Sequence, residues 1–131
     1  DCGNTFVIGH NPEHLKIKEA VKTLFLEAEA HWNQTNISGV KLYEFVQIQA
    51  EKMGYIMHPT YVKGHRLSEF SHSKYSTIGM FDLDFKPSKE RWILELQICH
   101  PSLEFGAFYE DLLGVSDDSL ASFKTKTNME V

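Results

Sequence analysis

Two apolar runs late in the chain each hold a glutamate: Trp92-Ile93-Leu94-Glu95-Leu96 and Phe108-Tyr109-Glu110-Asp111-Leu112-Leu113. An ionised carboxylate taken out of water costs several kcal/mol unless it is paired or bound to a cation. The fold must therefore give both glutamates a partner. The runs read as two strands, Trp92–Cys99 and Ala107–Val115, rich in aromatic and branched residues. Alternation puts Trp92, Leu94, Leu96 and Ile98 on one face and Ile93, Glu95, Gln97 and Cys99 on the other. The short link His100-Pro101-Ser102-Leu103-Glu104 predicts an antiparallel hairpin. With its turn centred near Ser102 and Leu103, Glu95 falls opposite Glu110, with Cβ atoms about 4.5–5.5 Å apart. Two like charges so placed repel each other; a metal ion between them, or protonation of one carboxyl, removes the repulsion.

The rest of the chain supplies layers to cover such a hairpin. Residues 4–9 read as a short strand. Asn11-Pro12-Glu13 then opens a helix, with Asn11 as N-cap and Pro12 at the first helical position. Its apolar stripe is Ile17, Val21, Leu24, Phe25, Ala28 and Trp32. Ser38 is placed to cap a second helix over about 39–53, with Leu42, Phe45, Val46, Gln49 or Ala50, and Met53 on its inner face, and Gly54 at its C-terminal end. From Tyr55 to Leu67 the chain looks extended, 70–76 reads as loop, and 78–85 as a strand or an ordered loop. Lys86-Pro87-Ser88-Lys89-Glu90 is a turn. The order strand, helix, helix, strands predicts an α+β fold with two helices packed on a largely antiparallel sheet.

At 131 residues with a formal net charge of −5, the chain makes one domain or part of one, and nucleic acid is disfavoured as its main partner. No run approaches the roughly 18 apolar residues of a membrane span. Two cysteines outside any CxxC pair, Cys2 and Cys99, favour a reducing, cytoplasmic setting. The opening Asp1-Cys2-Gly3-Asn4-Thr5-Phe6-Val7-Ile8-Gly9 reads like the middle of a structure, so the chain is expected to be a fragment or processed product. Residues 1–115 then read as the folded portion and 116–131 as a polar, loose tail.

Gly64-His65-Arg66-Leu67-Ser68-Glu69-Phe70-Ser71-His72 adds two histidines seven positions apart. The other five histidines are read as core or surface side chains satisfied by hydrogen bonds. Taken in order, these segments resemble the C-terminal half of the pita-bread metallopeptidases, the family of methionine aminopeptidases, Xaa-Pro aminopeptidases, prolidases and the metal-free creatinases. Asp1-Cys2-Gly3-Asn4-Thr5-Phe6 is similar to the family's Asp-x-x-Arg-Thr-Phe strand. Gly64-His65 resembles its Gly-His ligand motif, His72 its second histidine, Glu95 its first glutamate, and Glu110 its final bridging glutamate.

The resemblance implies that Asp1, His65, Glu95 and Glu110 are metal ligands for two divalent ions (Mn, Co, Zn or Fe) in the intact protein. His72 would contact the substrate carbonyl, and Glu95 would double as a proton shuttle. The implied activity is metal-dependent hydrolysis of a peptide or amide bond near a free N-terminus, by an aminopeptidase or Xaa-Pro dipeptidase. Activated hydroxide would be the nucleophile. The isolated chain is expected to be inactive, to need the missing N-terminal half as a partner, and to form homo-oligomers. Asn4 stands where the family has Arg, and Arg66 and Ser68 where it has small residues. These departures keep open a non-catalytic pita-bread module that binds peptides or proteins. Metal-free acid–base hydrolysis of the creatinase kind, and a plain α+β domain with paired surface carboxylates, rank behind these two.

Overall fold

The computed structural model describes residues 2–59, 63–67 and 79–114. Among these are two helices, α1 (Pro12–Gln34) and α2 (Gly39–Lys52), and three strands, β1 (Ile56–Met57), β2 (Ile93–Cys99) and β3 (Gly106–Leu112). The strands form an antiparallel sheet in the order β1-β2-β3, so the fold is α+β as expected. Asp1, His72 and the expected polar tail lie outside the described residues.

Each helix begins where its capping chemistry dictates. Asn11 Oδ1 accepts from the backbone N–H groups of Glu13 at 2.9 Å and His14 at 3.4 Å, and Pro12 opens α1. The Ser38 hydroxyl accepts from Lys41 N at 3.2 Å at the head of α2. Gly54, at φ +89°, lets the chain turn sharply out of α2, so that Tyr55 N donates back to Ala50 O at 3.0 Å.

The six apolar residues expected along α1 are all buried. They pack with Leu42, Val46 and Ala50 of α2 against Leu94, Leu96 and Ile98 on one face of β2. From β3, the Tyr109 ring meets Phe25 at 4.8 Å. The helices therefore cover the apolar face of the hairpin, and Glu95 with Glu110 is left to the opposite face. Trp32 closes one end of the core, its indole N–H donating to Pro87 O at 2.7 Å. Among the described residues no helix is long and apolar enough to cross a membrane.

One stretch differs from the sequence expectation, and a second settles between its two alternatives. Residues 4–9 do not form a strand; Gly3 alone makes a backbone bridge to Glu110. Two residues on, the Thr5 hydroxyl replaces the main chain in the ladder. It donates to Phe108 O at 2.8 Å and accepts from Phe108 N at 2.9 Å. The second stretch follows Gly79, where Met80–Asp82 forms a 3-10 turn and Leu83 and Phe85 turn their carbonyls toward α2. They accept from Val40 N at 3.0 Å and Gly39 N at 3.1 Å, satisfying helix-start donors that have no partner inside the helix. Carbonyls committed to a helix start are unavailable to a sheet, which is why this segment is an ordered loop.

Thr5→Val keeps the shape of the side chain and removes both hydrogen bonds to Phe108. It should cost about 1–2 kcal/mol in urea unfolding, with faster amide exchange at Phe108 and little change at Leu96. Equal exchange at Phe108 in the two proteins would count against this role for the hydroxyl.

Candidate carboxylate site

Glu95 and Glu110 stand directly opposite each other across β2 and β3, the register expected from the sequence. The turn that sets this register is centred where expected. Leu103 takes φ +63°, Leu103 N donates to His100 O, and His100 N donates to Phe105 O.

The backbone hydrogen bonds show which kind of pair this is. Glu110 gives its N–H to Gly3 O at 2.9 Å and accepts from Gly3 N at 2.8 Å, on the outer edge of β3. The Glu95 carbonyl accepts from the Tyr43 hydroxyl at 2.9 Å, on the opposite edge of β2. The two glutamates thus direct their main-chain groups away from each other. In an antiparallel ladder such a pair has the closer spacing, with Cα atoms about 4.5 Å apart and side chains crowded together.

Burial sharpens the conflict. Glu95 is only 4% exposed. Its carboxyl is pushed up to about 7, first by loss of water, then by the negative charge of Glu110, with the side-chain hydrogen bond between the two acting in the same direction. The charge of His65 pulls it the other way. Up to about pH 7 Glu95 therefore keeps its proton, which relieves the repulsion that a bridging cation would otherwise remove.

His65 reaches this face through the segment 63–67, which runs antiparallel to the start of β2. Ile93 N donates to His65 O at 2.8 Å, Leu67 N donates to Arg91 O at 2.9 Å, and Arg66 bridges Trp92. Opposite Ile93, His65 lies on the sheet face that also carries Glu95. Its Nδ1 is 3.2 Å from Arg66 O, which suits the tautomer with the proton on Nδ1.

Gly64, just before it, is packed on every side. Its N–H donates to the Tyr43 hydroxyl at 2.7 Å, its carbonyl accepts from Met80 N at 2.7 Å, and a Cβ would run into the carbonyl of Ile93. The Gly-His pair therefore has a packing reason for its glycine.

Tyr43 was not among the expected site residues. It is buried, and loss of water holds its hydroxyl well above the ordinary tyrosine value. Its signal was the spacing Gly39, Tyr43, Val46, Ala50, an inner face of α2 offset slightly from the expected one.

A cavity of about 320 Å³ opens two residues along the strands from the pair, lined among others by Thr5, His58, Gln97, Cys99, Phe105 and Phe108. Gln97 and Phe108 each lie two residues from a glutamate on the same pleat face, roughly 7 Å along the strands. Asp111, although next to Glu110, accepts from Leu112 N at 2.8 Å and belongs to the opposite face.

Of the residues expected from the sequence, Glu95, Glu110 and His65 come to one face. Asp1 and His72 lie outside the described residues; Gly3, two positions after Asp1 in sequence, is seated against Glu110. Among the described residues no three His, Cys, Asp or Glu side chains gather closely enough to hold a metal ion. Comparison of the chain with family models, with curated proteins and with solved structures returns no match.

The raised carboxyl of Glu95 ties stability to pH. The folded chain holds a proton between the ordinary glutamate value of 4.5 and about 7 that the unfolded chain has released. That stabilisation is fully present below the lower value and is lost as pH rises through the upper one. Urea unfolding should therefore show stability falling from pH 5 to pH 8, and Glu95→Gln, which mimics the protonated acid, should flatten the slope. A slope unchanged by Glu95→Gln would place the titration elsewhere.

Proposed function

We propose that the chain is the C-terminal half of a pita-bread catalytic domain, and that its parent is a metal-dependent aminopeptidase or Xaa-Pro dipeptidase-like hydrolase. The observation that carries this reading is the Glu95–Glu110 pair, opposed in the close register of the hairpin with His65 on the same face. A fold gains little from two acids facing each other at the edge of its core, and a divalent cation resolves the conflict.

The donors are carboxylate oxygens and one imidazole, a set suited to Mn, Fe(II), Co or Zn. In this reading Glu95, Glu110 and His65 are joined by Asp1, and His72 meets the substrate. Bound divalent ions would supply Lewis-acid polarisation of the scissile carbonyl and a nucleophile at neutral pH. The chain's own part is to hold the ligands on a stiff hairpin, with the Glu95 carboxyl as the group that would move a proton. A peptide lying along the strands would rest its neighbouring side chain near Gln97 and Phe108.

A second reading is favoured by a different observation. The cavity that starts two residues along the strands from the pair is walled by Phe105, Phe108 and Leu103. A non-catalytic module of the same fold would use that hollow to hold a peptide or protein segment, with the repulsion between the glutamates relieved by protonation of Glu95.

Elemental analysis of the purified chain after mild dialysis against Mn²⁺ separates the two. The hydrolase reading expects near-stoichiometric metal, reduced at least about tenfold by His65→Ala or Glu110→Gln, and loss of aminoacyl or Xaa-Pro hydrolysis by Glu95→Gln in the intact protein. Full hydrolysis in that variant would sink the reading. No retained metal, with peptide binding that survives Glu95→Gln, would support the binding module.

A further inference from the structure

The edge of the sheet beside Glu95 contains a break in register. Ile56 and Met57 pair with Cys99 and Ile98, whereas Arg66 pairs with Trp92. From Met57 to Arg66 the chain takes nine steps while its partner strand takes six, so three residues are extra on the edge side. Between the two paired stretches, bounded by the bonds His58 N to Gln97 O and Ile93 N to His65 O, lies Glu95. Its carbonyl faces that edge at the point where the two stretches are out of step.

The Tyr43 hydroxyl fills the break. It donates to Glu95 O at 2.9 Å and accepts from Gly64 N at 2.7 Å. One oxygen from α2 thus ties the strand that carries Glu95 to the residue that precedes His65. Burial of the phenol means that water does not stand in for it, and both backbone groups it serves are themselves buried. Met80 completes the clamp by donating its N–H to Gly64 O at 2.7 Å. A side chain whose only role was to fill the core would need the ring and not the hydroxyl.

We propose that Tyr43 is a positioning residue: its hydroxyl, by bridging Gly64 N and Glu95 O, sets the His65 segment at a fixed offset from Glu95 across the break in the sheet edge. The consequence for ligand holding rests on the hydrolase reading above; the positioning itself does not. A donor set preorganised by such a bridge loses affinity when the bridge goes, commonly about 10–100-fold for outer-shell partners.

The test is Tyr43→Phe in the whole chain, with Tyr55→Phe as the companion variant; Tyr55 is buried, and its hydroxyl makes no hydrogen bond among the described residues. Two readouts are taken: amide hydrogen exchange by nuclear magnetic resonance, and Co²⁺ binding by visible absorption. In Tyr43→Phe the exchange of Ile93 N–H, which is bonded to His65 O, should rise at least tenfold, while Leu96, paired with Tyr109 in the hairpin, stays protected. Tyr55→Phe should leave both unchanged. Co²⁺ affinity should fall about 10–100-fold in Tyr43→Phe alone.

Unchanged exchange at Ile93 would overturn the positioning role, and so would an equal loss of protection at Ile93 and Leu96, which would mark a purely structural contribution. If the unaltered chain binds no Co²⁺ yet Ile93 responds selectively, the positioning role stands and the metal reading falls. Co²⁺ affinity equal in the two proteins, with selective exchange at Ile93, would remove the link to ligand holding.

Discussion

The arrangement of the whole site follows from one constraint, the crowding of Glu95 and Glu110 in a pair that exchanges no backbone hydrogen bonds. A one-residue slip of the hairpin would send one of the two carboxylates into the helix-covered core, where Leu94, Leu96 and Ile98 now pack. The apolar face therefore fixes the register, and the register fixes the conflict between the two acids. The conflict is relieved by protonation of Glu95, whose carboxyl is pushed up to about 7. Stability thus depends on the protonation of this pair.

Hydroxyl groups complete the sheet on both sides of this pair. On the outer edge, Thr5 serves Phe108; on the inner edge, Tyr43 serves Glu95 and Gly64. In both places the main chain fails to continue the ladder, and a side-chain oxygen takes its role. A hydroxyl both donates and accepts, so one group can join two backbone positions that are out of step.

Much of the scaffold was legible in the sequence because it rests on local rules. Asn11 and Ser38 cap the helices, Gly54 ends the second, and the α1 stripe from Ile17 to Trp32 is buried throughout. The Glu95–Glu110 register followed from strand alternation and a short turn. Thr5 and Leu83 escaped because their partners are distant in sequence, and no local pattern shows that a hydroxyl or carbonyl will be drawn to a remote edge. Tyr43 escaped for a related reason: helical spacing marks it as inward, but the need for its hydroxyl arises from three extra residues elsewhere in the chain. Of the site, Glu95, Glu110 and His65 were legible as types at spacings; the bridge that orders them was not.

The Thr5–Phe108 contact joins residues 103 positions apart. Closing so long a loop costs conformational entropy that no short-range contact offsets, and contacts of this span slow folding. The outer edge of β3 is accordingly a late-forming seam. It closes once α1 and the hairpin have already buried their apolar faces, and it is the natural first place for the native chain to open. The Gly3 bridge to Glu110 belongs to this seam, so order imposed at Glu110 would act on the opening of the native chain rather than on the early steps of folding.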